Sequence, residues 1–96
     1  MSPQLSVLLP AYNEAENLAE LVPEIGKVLD AAGISHEIVV VDDGSSDDTP
    51  RVMDELRRDT VRSIRLRRNA GKSAALAVGL EQVDGDVIAL MDADGQ

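Results

Sequence analysis

Four short polar stretches carry the residue types in this chain that can do chemistry. Asp92-Ala93-Asp94 places two carboxylates on either side of a small residue, directly after an apolar run. Carboxylates so spaced can share one hard divalent cation, whose shell is completed by water and phosphate oxygens. A bare Asp-x-Asp is more often a pair of solvated acids. Here the apolar run before it and the three other stretches reverse those odds. Asp42-Asp43-Gly44-Ser45 also ends an apolar run. A carboxylate there can accept from a nucleobase N–H or a ribose hydroxyl; an Asx-type turn with a glycine reads equally well. Pro10-Ala11-Tyr12-Asn13-Glu14 holds Tyr12, the only aromatic residue of the chain. Tyr12 can pack on a flat base, with Glu14 accepting from it, or it can cover the core's edge.

Arg67-Arg68-Asn69-Ala70-Gly71-Lys72-Ser73 has the look of a phosphate loop at a helix start. A full P-loop needs a glycine where Leu66 stands, so that motif is rejected. A basic helix start can still line an anionic nucleotide, or be a plain solvated connection. There is no G-x-G-x-x-G, which argues against a dinucleotide site. His36, the single histidine, sits before a strand at the opposite end and is expected to be structural or exposed.

The elements that must hold these stretches follow from periodicity. Leu5–Leu9 reads as a buried strand stopped by Pro10. Leu18, Leu21, Val22, Ile25, Val28 and Leu29 recur at helical spacing. Pro23 and Gly26 fall inside that stripe and predict a kink. Glu37–Val41 is β-branched and apolar on both faces, as a central parallel strand is. Thr49-Pro50 opens a second helix, with Thr49 as cap. Val61–Leu66 alternates, Ser73–Val83 is an Ala-rich helix, and Asp86–Met91 is a fourth strand. The order βαβαβαβ implies an α/β fold, a parallel sheet covered by helices on both faces. Ligands of such sheets bind beyond the carboxyl ends of the strands, where all four stretches lie.

The chain has 96 residues, a net charge of −9 and no cysteine. Its length suits one small domain. The charge argues against nucleic acid or an anionic membrane as the main partner. No disulfide or thiolate metal site is available. No apolar run approaches the roughly 20 residues of a membrane span, and the N-terminus has no signal-peptide pattern. A soluble cytoplasmic chain is expected.

Together, Leu-Ser-Val-Leu-Leu-Pro-Ala-Tyr-Asn-Glu, Val-Val-Val-Asp-Asp-Gly-Ser, Arg-Asn-Ala-Gly-Lys-Ser-Ala-Ala-Leu and Met-Asp-Ala-Asp-Gly-Gln resemble family 2 glycosyltransferases. Among these the chain is most similar to polyprenyl-phosphate sugar transferases such as dolichyl-phosphate mannose synthases. The resemblance covers essentially the whole chain. It implies that residues 1–96 form one partial domain, the Rossmann-like nucleotide-binding half of a GT-A fold, without the acceptor-binding half. By the same resemblance, Pro10, Ala11, Tyr12, Glu14, Asp43 and the backbone of Val41 bind the nucleotide part of a UDP- or GDP-sugar. Asp92, Ala93 and Asp94 face its diphosphate. Asp92 and Asp94 hold Mg²⁺ or Mn²⁺, with Gln96 completing the surroundings. Lys72 lies in a Gly-Lys-Ser segment typical of the bacterial branch and is counted with the donor site.

The implied reaction is inverting transfer of a sugar to a polyprenyl phosphate, with any catalytic base in the missing half. The chain alone is expected to be inactive, and a longer relative to work at the cytoplasmic face of a membrane. The open edge at the fourth strand invites self-association. The alternative is a non-catalytic nucleotide- or metal-binding half-domain that needs a partner chain. A receiver-like phosphoacceptor domain lacks support in the loops after its first and third strands. A nucleotidyltransferase wants a glycine-rich first loop, and residues 10–14 contain no glycine.

Overall fold

A computed structural model describes residues 2–93 of the chain. Four strands and three helices alternate: β1 (Leu5–Ala11), α1 (Ala15–Ala31), β2 (His36–Asp42), α2 (Thr49–Leu56), β3 (Val61–Arg65), α3 (Lys72–Gln82) and β4 (Val87–Leu90). All strand pairs are parallel, in the order β3-β2-β1-β4. The expected α/β class and element order are both present.

Side-chain alternation sorts the sheet into two faces. Val7, Leu9 and Ala11 of β1 and Ile38 and Val40 of β2 pack against Leu18, Val22 and Ile25 of α1 and Val52 and Met53 of α2. Leu8, Val39 and Val41 point the other way, onto Ala75 of α3. Both central strands are therefore apolar at successive positions, since both of their faces are covered. Helix α3 lies very close to the sheet: a Cβ on Gly79 would stand 2.4 Å from Leu8 Cδ1. A side chain there would force the end of Leu8 to shift.

Most element bounds move by a residue or so from those expected, and a few differences are instructive. Strand β1 runs through Pro10 to Ala11 instead of stopping before it. The Leu8 carbonyl accepts the Met91 N–H at 3.0 Å. The next bond on that side would come from residue 10, and proline has no N–H. The ladder to β4 ends there, while on the other side Ala11 still accepts from Asp43 N at 2.8 Å. Helix α1 is continuous through Pro23 and Gly26. Ala19, whose carbonyl loses its helical donor to Pro23, is exposed along with that proline. Asp48, not Thr49, is the N-terminal flank of α2, and Thr49 is its first residue. The end of α1 is closed by Ile34 N on Leu29 O (3.0 Å) and Gly33 N on Asp30 O (3.1 Å), a Schellman pattern.

At the amino ends of the strands, Glu37 is the centre of a polar network. It accepts from Ser6 Oγ (2.5 Å), Asp84 N (2.6 Å) and Arg62 Nη2 (3.2 Å). Arg62 also donates to the Gln82 carbonyl. His36 is buried, with Nδ1 3.0 Å from Ile34 O, as expected of a structural histidine.

Strand β4 is the thinly covered edge. Val87, Ile88 and Leu90 are 62%, 41% and 55% exposed, so neither face of this strand is sealed.

Candidate functional site

Strands β2 and β3 lie on one side of β1 and β4 on the other. The strand order reverses between β1 and β4, which opens a crevice at their carboxyl ends. A cleft of about 260 Å³ occupies that place, lined by Pro10, Ala11, Tyr12, Glu14, Asp43, Asn69, Gly71, Lys72, Asp92 and Ala93. Each wall has an identifiable support.

The β1–α1 turn supplies Tyr12 and Glu14. Tyr12 is 45% exposed, so the only aromatic ring stands at the mouth and is not a core cover. Asn13 holds the turn. It takes a positive φ of 55°, a conformation that asparagine tolerates better than most residues. Its N–H donates to Ser45 Oγ (2.9 Å), and its Oδ1 accepts from Ser46 N (2.8 Å) and Asp47 N (3.2 Å). Asp47 accepts from Thr49 N, the Thr49 hydroxyl and Ala15 N, tying the starts of α2 and α1 together. Desolvation, the largest influence on Asp47, works to raise its pKa; the hydrogen bonds from Thr49, Ala15 and its own N–H outweigh it, and the net direction is down. One oxygen of Glu14 accepts from Asn17 Nδ2 at 2.6 Å.

The β2–α2 loop supplies Asp43. Its carboxylate is buried, with Oδ1 accepting Ala70 N (2.8 Å) and Oδ2 accepting Gly71 N (3.0 Å). The aspartate therefore clamps the start of α3. Two ionised oxygens offer about four lone-pair sites, so acceptor capacity remains toward the cleft. Gly44 makes the clamp possible. At φ 72°, a Cβ there would lie 2.4 Å from the Arg68 carbonyl carbon and 2.5 Å from Asn69 N. Neighbouring Asp42 caps the turn by accepting Ser45 N at 2.9 Å. Its Oδ2 is buried with no hydrogen-bond partner among the described residues, 3.9 Å from Arg65 Nε.

The third wall is the first turn of α3, whose N–H groups have no acceptor within the helix. Lys72, its first residue, extends its ammonium to Asp92 Oδ1 on the fourth wall. Among the described residues, no three carboxylate or histidine side chains gather to hold an ion unaided.

Of the residues singled out by sequence, Pro10, Ala11, Tyr12, Glu14, Asp43, Lys72, Asp92 and Ala93 come together in one cleft. Val41 does not. It is fully buried within β2, paired to Pro10 on one side and Ile64 on the other. Asp94 and Gln96 lie outside the described residues. Asn69 lines the cleft without having been singled out by itself. Asn13 and Ser45 also escaped notice as supports, since their partners are more than thirty residues away in sequence.

Comparison with known proteins gives this geometry a context. The family described as Glycosyl transferase family 2 matches residues 6–96. The chain belongs to that family. The undecaprenyl-phosphate 4-deoxy-4-formamido-L-arabinose transferase of Salmonella paratyphi B is 38% identical over 96 residues. That match takes in 97% of this chain and 29% of the relative. The chain thus spans less than a third of the length of such relatives.

Among solved structures, the mannosyltransferase PcManGT of Pyrobaculum calidifontis, in complex with GDP-Man and Mn²⁺, superposes with a TM-score of 0.80 and 30% identity. It covers 98% of this chain and 28% of its own. Glucosyl-3-phosphoglycerate synthase of Mycobacterium tuberculosis, in complex with Mn²⁺, UDP and phosphoglyceric acid, gives a TM-score of 0.76 at 28% identity. That match covers 95% of this chain and 33% of the synthase. This family 2 chain accordingly has the Rossmann-like GT-A arrangement. No helix among its described residues is long and apolar enough to cross a membrane.

Proposed function

We propose that residues 1–96 form the donor-binding part of an inverting sugar transferase that passes a sugar from a nucleoside diphosphate to a polyprenyl phosphate. The observation that carries this reading is convergence: Tyr12, Asp43, Lys72 and Asp92 arrive from four different connections at the one crevice where the strand order reverses. Tyr12 offers a face to a base, and Glu14 and Asp43 offer acceptors to its N–H groups. Lys72 and the first turn of α3 face the diphosphate. The GDP-Man and UDP complexes of the structural relatives support a nucleotide sugar as ligand. The Salmonella relative supports a lipid phosphate as acceptor.

The cleft suits a divalent cation. Asp92 is a partly exposed hard oxygen donor on which a positive charge of the chain already rests. Asp92 would hold Mg²⁺ or Mn²⁺ together with Asp94 and Gln96 and the ligand's phosphates. Once bound, the ion would supply Lewis acidity at the departing diphosphate. The chain's own residues would position the donor and exclude water from its base end. An acceptor phosphate is already ionised and needs no strong base. Any base needed for another acceptor is assigned outside residues 1–96. These residues alone are expected to transfer no sugar, and the full-length enzyme to work at the cytoplasmic face of a membrane. The open β4 surface favours a second reading, a non-catalytic half-domain completed by a partner chain.

A titration of the ¹⁵N-labelled chain with UDP and GDP, each with and without Mg²⁺, tests the donor site. The expected result is metal-dependent shifts at Tyr12, Asp43 and Asp92 with one of the two nucleotides. A dispersed spectrum unmoved by either nucleotide would overturn donor binding by these residues. Sugar transfer by the purified 96-residue chain would overturn the division of labour.

A further inference from the structure

The start of α3 and the end of β4 each send one charge into the middle of the cleft. The Lys72 ammonium rests on Asp92 Oδ1, with the two side chains 61% and 40% exposed. The pair is not buried and no core packing depends on it. An exposed ion pair of this kind changes an equilibrium by only about two- to fivefold. Asp92 is also the carboxylate assigned to the divalent ion, so one acceptor faces two cations. One is covalently part of the chain; the other must come from solution.

We propose that Lys72 is an internal counter-cation on Asp92, which a divalent ion must displace and which the diphosphate of the nucleotide then takes over. The inference rests on the donor-site reading above. Lysine suits such a role because its charge is compact and rides on a flexible stem, free to swing without moving the backbone. Before any ligand arrives, the ammonium neutralises Asp92 and opposes a second positive charge there. Once a diphosphate lies across the first turn of α3, the same ammonium has phosphate oxygens to turn to, in a place where the helix dipole also favours anions. Asp43 fixes the pivot, because it grips Ala70 N and Gly71 N immediately before Lys72. Lys72 thus opposes the metal alone and favours the metal with nucleotide. Ion and nucleotide enter as a cooperative pair.

The test compares the chain with its Lys72→Gln, Lys72→Arg and Lys27→Gln forms. Lys27 is exposed on α1 and does not line this cleft, so its loss controls for net charge. Mn²⁺ binding is read from the electron paramagnetic resonance of free ion, without nucleotide and then with UDP or GDP. Its site is read from broadening of the Asp92 and Ala93 amide signals. Lys72→Gln is expected to bind Mn²⁺ alone about two- to fivefold tighter. Lys72→Arg and Lys27→Gln are expected to stay at the parent value. With the bound nucleotide present, the Lys72→Gln advantage should disappear or reverse.

An unchanged or weaker Mn²⁺ affinity in Lys72→Gln overturns the proposal, as does an equal gain in Lys27→Gln. Mn²⁺ that leaves the Asp92 signals untouched in every form overturns it too. Failure of the donor reading looks different: neither nucleotide binds any form, while the gain in Mn²⁺ affinity on losing Lys72 persists. That result would keep the counter-cation and remove only its transfer to a diphosphate.

Discussion

Asp43 has two duties that pull on the same atoms. It holds the start of α3 through two backbone N–H groups and faces the cleft as an acceptor. Hydrogen bonds to a charged acceptor contribute about 1.5–3 kcal/mol. Asp43→Asn keeps one acceptor and loses the other. Urea denaturation is expected to show a loss of about 1–2 kcal/mol, and amide exchange at Ala70 and Gly71 should speed up. Gly44→Ala should cost more. It places a Cβ against the Arg68 and Asn69 backbone at a φ where non-glycine residues already incur about 1–3 kcal/mol of strain. A drop of at least about 2 kcal/mol in the same denaturation experiment is expected.

The polar stretches of the cleft are legible one by one in the sequence, because each follows an apolar run. What their spacing does not reveal is which side chain holds which. Asp43 meets amides 27 and 28 positions later, and Asn13 meets a loop more than thirty positions away. Those pairings exist only after the sheet brings the connections to one edge. Val41, next to the acidic pair in sequence, has its side chain fully buried in the sheet, between Pro10 and Ile64 in register.

At the scale of elements, the amino ends of the strands depend on Glu37. Burial is the largest influence on its pKa and pushes upward; the Asp84 N–H, the Ser6 hydroxyl and Arg62 together outweigh burial and hold it below the ordinary glutamate value. A carboxylate whose folded pKa is depressed contributes stability above its unfolded pKa and loses it as pH falls through the folded one. Asp47 is shifted in the same direction. The fold should therefore weaken as pH drops below about 4.5. Glu37→Gln should flatten part of that slope, measured as urea midpoints across the acid range. Helix α3 makes a separate prediction. Gly79→Ala overpacks Leu8 by one methyl and should cost about 1–3 kcal/mol. Leu8→Val in the same chain should recover part of it, since neighbouring sites couple.

Element order and type follow directly from periodicity. Two of the boundary differences have local causes: Pro10 blocks only one side of its strand, and Thr49 is held by Asp47 inside the helix it was expected to cap.

For the whole molecule, the sheet's order makes β4 both the site's fourth wall and its least protected strand. Exposed Val87, Ile88 and Leu90, on a strand with no outer neighbour among the described residues, should let two copies of residues 1–96 associate. Sedimentation velocity is expected to show a mass that rises with concentration, and Ile88→Lys should return the chain to a monomer. The sequence marks a fourth strand after α3. It did not announce that this strand pairs with the first, because an alternating pattern marks strands and leaves their neighbours unnamed.

That pairing also sets a timetable. Strands β1, β2 and β3 find their neighbours through successive crossovers, each over a modest length of chain. Leu5 meets Val87 only when two segments far apart in the sequence close on each other, and closing so long a loop is the entropically slowest contact to make. The crevice does not exist until then. In a pulse-labelled refolding experiment, amides at the β1–β2 seam should become protected first and those of Val87 and Met91 last. A nucleotide present during refolding would therefore leave the early phase unaltered and slow only the reverse of the final one, acting as a latch on a molecule that has already chosen its fold.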